Sequence, residues 1–147
     1  MGPRDDMTIS SHALSKRDVS RNRHGALRVL CAEDDPCIAK LLKIGLDGVG
    51  HFVECVANGS DAVERIRAKP DFFDLVITDH RMPNGTGMTL VQALREMAFL
   101  RRIFVHSSAL GLADKEAYRR LAVDRMVEKP SESGELMRAV AEFVRAK

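Results

Sequence analysis

From residue 27 onward the chain repeats one pattern five times: a short apolar run of strand length, then a segment with helical spacing. The apolar runs are Leu27–Ala32, His51–Val56, Phe73–Thr78, Ile103–His106 and Asp124–Val127. After the first run, Pro36 sits where an opening helical turn tolerates it, with Asp34 or Asp35 as cap. Ile38, Leu41, Leu42 and Leu46 then have the spacing of one buried helix face, and Gly48 and Gly50 end it. Asn58-Gly59 is a turn, and Ala62, Val63 and Ile66 mark a second helix closed by Lys69-Pro70. A loop over Asp79–Gly87 leads to a helix at Met88–Ala98, with Leu90, Val91, Leu94 and Met97 facing inward. Ala113–Ala122 is a polar helix, and Ser131–Ala146 closes the chain with Leu136, Val140, Phe143 and Val144 on one face. Such alternation predicts an α/β protein, a parallel sheet covered by helices on both faces with right-handed crossovers.

The 147 residues suit one domain. Residues 1–26 are rich in Ser, Arg, Asp and His and show no period of 2 or 3.6, so they read as a mobile extension before a domain at 27–147. The net charge of +2 resides in the first 27 residues, which leaves 28–147 formally neutral. A neutral body argues against nucleic-acid binding, which needs clustered cations to displace counterions. Cys31, Cys37 and Cys55 lack metal-type spacing and read as reduced, small apolar side chains of a cytoplasmic protein. No apolar run approaches the roughly 18 residues that cross a membrane.

In open parallel sheets, ligands sit outside the carboxyl ends of the strands. The first strand ends in Glu33-Asp34-Asp35, the third in Asp79, the fourth in Ser107-Ser108 and the fifth in Lys129-Pro130. Clustered carboxylates repel, and a hard divalent cation such as Mg2+ offsets that best. Lys129 offers a second positive charge, and a small hydroxyl can donate to a phosphoryl oxygen. These parts suit phosphoryl transfer, which is mostly positioning and charge neutralisation. A carboxylate can itself be the nucleophile, and Asp79 is the candidate.

At these residues the chain resembles the receiver domains of two-component response regulators, of the chemotaxis-regulator kind. The resemblance covers residues 28–145 and is carried by VLCAEDDPCIAKLL (29–42), VANGSDAV (56–63), DLVITDHRMPNGTG (74–87), SSA (107–109) and EKP (128–130), in order. It implies a doubly wound, flavodoxin-like (βα)5 fold with strand order 2-1-3-4-5. Further, it implies Asp79 as phosphoacceptor, with Mg2+ held by Glu33, Asp34, Asp79 and the backbone carbonyl of Arg81. Lys129 would pair with the phosphoryl group. The switch hydroxyl aligns with Ser107, which lies 22 residues before Lys129, while Ser108 followed by Ala109 is the alternative. Asp35 is then a helix cap. The implied donor is a histidine kinase or histidine phosphotransfer protein. The output is a downstream protein docking on the face of the fourth helix, fifth strand and fifth helix, roughly residues 112–145, and a homodimer is a further partner. Such a domain catalyses only its own phosphorylation and dephosphorylation and is not otherwise an enzyme.

Several positions depart from that pattern or read as ordinary structure. The family's aromatic switch residue would fall at 126, where Met126 reads as core filler. Tyr118 does not replace it in the linear pattern. Thr86 reads as a helix cap, His80 as a loop residue and His106 as a half-buried structural residue. Met82, Met88 and Met97 read as packing. Two other functions compete: a docking module without phosphorylation, and a Mg2+-dependent phosphatase using Asp79. The second is weakened by Arg81, which stands where such hydrolases place a second acid.

Overall fold

The structure, a computed structural model, describes residues 25–83, 85–108, 110–129 and 134–146. Residues 1–24 of the expected extension lie outside these, as do Asn84, Ala109, Pro130 and the first residues of the last expected helix. Ten elements alternate along the chain: β1 (Arg28–Ala32), α1 (Pro36–Gly48), β2 (Phe52–Val56), α2 (Gly59–Ala68), β3 (Leu75–Thr78), α3 (Gly87–Glu96), β4 (Arg102–Ser107), α4 (Leu112–Arg120), β5 (Arg125–Glu128) and α5 (Glu135–Ala146). All strand pairs are parallel. The sheet order is β2-β1-β3-β4-β5, as the resemblance implied.

Successive strand residues point to opposite faces, and the core divides accordingly. Leu30, Ala32, Val76, Ile103 and Val105 pack with Ala62 and Ile66 of α2, Leu90, Val91 and Leu94 of α3, and Tyr118 of α4. Val29, Cys31, Leu75, Ile77 and Phe104 pack on the other side with Leu46 of α1 and Leu136, Ala139, Val140 and Phe143 of α5. β1 and β3 are buried throughout, which explains their unbroken apolar sequence.

Local chemistry places the helix starts. Asp35, not Asp34, caps α1, its Oδ1 accepting from the backbone N–H of Cys37 at 2.9 Å. Asn58 caps α2 through Asp61 N–H at 2.8 Å. Thr86 caps α3 through Thr89 N–H at 3.2 Å, as expected.

Two expectations need correction. Of the four apolar residues assigned to one buried face of α1, only Leu46 is buried; Ile38 and Leu42 are partly covered, and Leu41 is 69% exposed. A single helix laid on a sheet covers a narrower stripe than the apolar spacing offered, and Leu41 falls outside it. His106 is not half-buried but buried, with 4% of its surface exposed, because β4 lies inside the sheet between β3 and β5.

Two structures hold the end of the sheet away from the strand carboxyl termini. Asp74, 1% exposed, accepts from the backbone N–H of Arg28 at 2.9 Å and from Arg101 Nη1 at 3.1 Å. Arg95 donates to the carbonyls of Leu121, Phe99 and Ala122 at 2.7 to 2.8 Å, and to that of Arg101 at 3.3 Å. It thereby ties the end of α3 to the entry of β4 and the end of α4.

Candidate functional site

The carboxyl ends of β1, β3 and β5 bring together the charged residues that the chain places just beyond them. β3 lies next to β1, and its register pairs Ala32 with Thr78. Glu33 and Asp79, each one residue further on, therefore come to the same rim. Asp79 N–H donates to the Ala32 carbonyl at 2.9 Å, and Glu33 N–H to the Val56 carbonyl at 3.0 Å. On the other flank, Lys129 N–H donates to the Ser107 carbonyl at 2.9 Å, which fixes where the Lys129 side chain starts.

From there the Lys129 ammonium reaches back across the rim. Its Nζ lies 2.8 Å from Glu33 Oε1 and 3.1 Å from Asp79 Oδ2. These are charge-assisted hydrogen bonds between side chains only 3 to 12% exposed. Burial lowers the basicity of Lys129, but its bonds to Glu33 and Asp79 more than offset that and hold its pKa above the ordinary value. Burial pushes the Glu33 carboxyl up, and the Lys129 bond offsets this only in part. One carboxylate oxygen from each of Glu33, Asp34 and Asp79 lies within 4.8 Å of the others.

Around this cluster lies an open cavity of about 480 Å³ lined by Glu33, Asp34, Asp35, Ile38, Asp79, Arg81, Ser108 and Lys129. Of the residues expected at the site, Glu33, Asp34, Asp79, Arg81 and Lys129 are thus brought together. Ser107 is 2% exposed at the end of β4 and is not among the lining residues, whereas Ser108 is. Asp79 is further held by its surroundings. Its Oδ1 accepts the His80 backbone N–H at 2.7 Å, and its carbonyl accepts the Thr78 hydroxyl at 2.8 Å.

Sequence reasoning did not find the neighbours of His80. The ring Nδ1 of His80 lies 2.6 Å from the Tyr118 hydroxyl and Nε2 lies 3.3 Å from Asp114 Oδ2. Burial pushes the Tyr118 phenol up, so it keeps its proton and donates to Nδ1. With a proton on Nε2, the ring has an acceptor for the phenol and a donor for the carboxylate. Gly87 leaves room for this: a β-carbon there would overlap the Asp79 carbonyl and lie 2.9 Å from the Tyr118 hydroxyl. The signal was faint but present. Asp114 and Tyr118 stand four apart on α4 and so share a face, and Tyr118 is the sole tyrosine.

A doubly wound α/β domain with a carboxylate cluster and a lysine at its strand ends is therefore defined. The response regulator receiver domain family matches residues 29–141, and the chain belongs to that family. The two-component response regulator ARR22 of Arabidopsis thaliana is 30% identical over 105 residues, 71% of this chain and 74% of that protein. The response regulator protein PmrA of Pseudomonas aeruginosa is 29% identical over 119 residues, 81% of this chain and 53% of that protein. The chain spans about half the length of several curated relatives it matches. Among solved structures, response regulator TrrA of Thermotoga maritima, crystallised in complex with Mg(2+)-BeF, superposes with a TM-score of 0.69 at 23% identity, covering 80% of this chain and 98% of that one. Among the described residues, no helix is long and apolar enough to cross a membrane.

Proposed function

We propose that the chain accepts a phosphoryl group on Asp79 from a phosphohistidine of a histidine kinase or phosphotransfer protein, and that it works in the cytoplasm. The observation that carries this reading is the position of Asp79, at the end of the central strand with Lys129 Nζ 3.1 Å away and Glu33 and Asp34 beside it. A carboxylate oxygen of Asp79 forms a bond to phosphorus as the bond from phosphorus to the donor's imidazole nitrogen breaks, and the leaving imidazole takes up a proton. Later, attack of water on phosphorus releases inorganic phosphate and restores the carboxylate. The domain is thus substrate and catalyst of its own modification, and not an enzyme toward other substrates.

The donor set fits a hard divalent cation. Three carboxylate oxygens within 4.8 Å of one another approach the roughly 4 Å that spans an octahedral Mg2+ shell. Glu33, Asp34, Asp79 and the Arg81 carbonyl would hold Mg2+. Bound there, it would neutralise charge on the transferring oxygens. The chain's own residues do the rest. Lys129 pairs with a phosphoryl oxygen, His80 N–H and Thr78 hold the Asp79 group in place, and a serine hydroxyl donates to another phosphoryl oxygen. Ser107 takes that role after the loop beyond β4 moves, with Ser108 leaving space at the rim. The switched surface is the α4–β5–α5 face, which binds a downstream protein or a second copy of the chain.

The test is incubation with acetyl phosphate and Mg2+ followed by intact mass measurement. Gain of one phosphoryl mass, dependent on Mg2+ and lost in Asp79→Asn, is the expected result. No adduct with any small phosphodonor overturns the reading. Comparing Ser107→Ala with Ser108→Ala then assigns the hydroxyl, since of the two serines the one that donates to the phosphoryl group is the one whose loss weakens the change at the output face.

A further inference from the structure

His80 links the site to α4 from both of its ends. Its backbone N–H donates to Asp79 Oδ1 at 2.7 Å, and its carbonyl accepts the Gly87 N–H at 2.7 Å. Its ring meets the Tyr118 hydroxyl at 2.6 Å and Asp114 Oδ2 at 3.3 Å, both on α4. Tyr118 is 0% exposed and packs in the core with Leu90, Val91 and Val105. A phenol so enclosed cannot follow a displaced histidine alone; either the hydrogen bond breaks or α4 moves with it. Two hydrogen bonds and one side chain therefore separate the Asp79 carboxylate from α4.

We propose that His80 is a positioning residue that transmits the state of Asp79 to α4 through Tyr118 and Asp114. The inference rests on the phosphoacceptor reading given above. Phosphorylation turns a carboxylate with two charged acceptor oxygens into an acyl phosphate. Whichever oxygen takes the phosphorus, the His80 N–H loses its charged acceptor, and charge-assisted bonds are roughly twice as strong as neutral ones. The peptide of His80 is then released to reorient toward the phosphoryl oxygens. The ring hangs from the same Cα, so reorienting the peptide displaces it against Tyr118 and Asp114 and strains the two contacts. The coupling is local and two-state: α4 is held by the ring before phosphorylation and freed after it. The alternative for such a ring is a static staple between the β3–α3 loop and α4. A staple contributes equally before and after phosphorylation and would not make the response of α4 depend on the Tyr118 hydroxyl.

The experiment follows the backbone amides of Leu112–Arg120 by NMR, before and after acetyl phosphate and Mg2+, with intact mass read on the same samples. The proteins are the full chain, Tyr118→Phe, which removes one oxygen and keeps the packing, and Asp114→Ala, at a partly exposed position. Expected are the same phosphoryl uptake in all three and a change at the α4 amides that falls by half or more in both variants. His80→Leu should reproduce that loss at α4. Full uptake with an undiminished response of α4 in Tyr118→Phe and Asp114→Ala overturns the inference and leaves the phosphoacceptor reading standing. No uptake by the unaltered chain overturns that reading and the inference together.

Discussion

Replacing Lys129 with Met takes away the ammonium that stands 2.8 Å from Glu33 Oε1 and 3.1 Å from Asp79 Oδ2. Both carboxylates then face each other at low exposure, 3% for the Glu33 side chain and 11% for Asp79. Removing one member of a buried ion pair costs about 3–5 kcal/mol, because the partner is left as an uncompensated charge. Here the cost is lower. The cavity is open, Asp34 on its rim is exposed, and Glu33, already raised by burial, can take a proton. Without metal we expect a loss of roughly 2–3 kcal/mol. At a slope of about 1.5 kcal/mol per molar urea, the midpoint falls by roughly 1.3–2 M. The assay is urea unfolding in chelator, followed by far-ultraviolet circular dichroism because the chain has no tryptophan. Adding Mg2+ should narrow the gap, since the variant's carboxylates bind the ion with no ammonium competing. At a shared Mg2+ concentration well above both dissociation constants the gap narrows by the logarithm of their ratio, about 1.4 kcal/mol for tenfold tighter binding by the variant. An unchanged midpoint in chelator would refute the electrostatic argument. A deficit that Mg2+ does not narrow would refute the assignment of Glu33 and Asp79 as metal ligands.

Other perturbations test the scaffold. Arg95→Ala should lower stability by about 2–3 kcal/mol by chemical denaturation, since four carbonyls lose a charged donor, and Arg95→Lys should rescue little because one ammonium cannot span the fork. Ala122 closes α4 at φ 61°, a left-handed conformation that glycine adopts without strain, so Ala122→Gly should raise the midpoint or leave it unchanged, by up to about 1 kcal/mol. Burial lowers the His106 pKa to about 4, so the unfolded chain binds its proton first as pH falls. Stability from this group is full above the unfolded value near pH 6.5 and is lost on acidification toward pH 4, by roughly 3 kcal/mol in all. Subtracting the curve of His106→Asn from that of the unaltered chain should isolate this loss, and parallel curves would contradict it.

The chain's pattern made the architecture legible because strands of a two-face-buried sheet must be apolar throughout, and β1, β3 and β4 were recognisable on that ground alone. The site was legible for a related reason. Parallel topology sends the end of each strand to one rim, so Glu33, Asp34, Asp79 and Lys129 could be grouped without coordinates. What escaped depends on packing that no linear period encodes. Leu41 carries the same helical spacing as Leu42, yet one side of α1 faces solvent. His106 follows three apolar residues, and its burial follows from the strands that flank β4. The meeting of His80 with Tyr118 spans 38 residues and depends on the space above Gly87, which becomes apparent only when the β3–α3 loop is seen against α4.

The central claim, that Asp79 carries the phosphoryl group, is tested most directly by trapping the acyl phosphate. Borohydride reduces an aspartyl phosphate to homoserine, and peptide sequencing by mass spectrometry then reads the position. After treatment with acetyl phosphate and Mg2+, the account predicts homoserine at position 79 and aspartate or glutamate unchanged at 33, 34 and 35. Homoserine at any of Asp34, Asp35 or Asp74 instead of Asp79, or none at all in a sample whose intact mass shows the adduct, would contradict it.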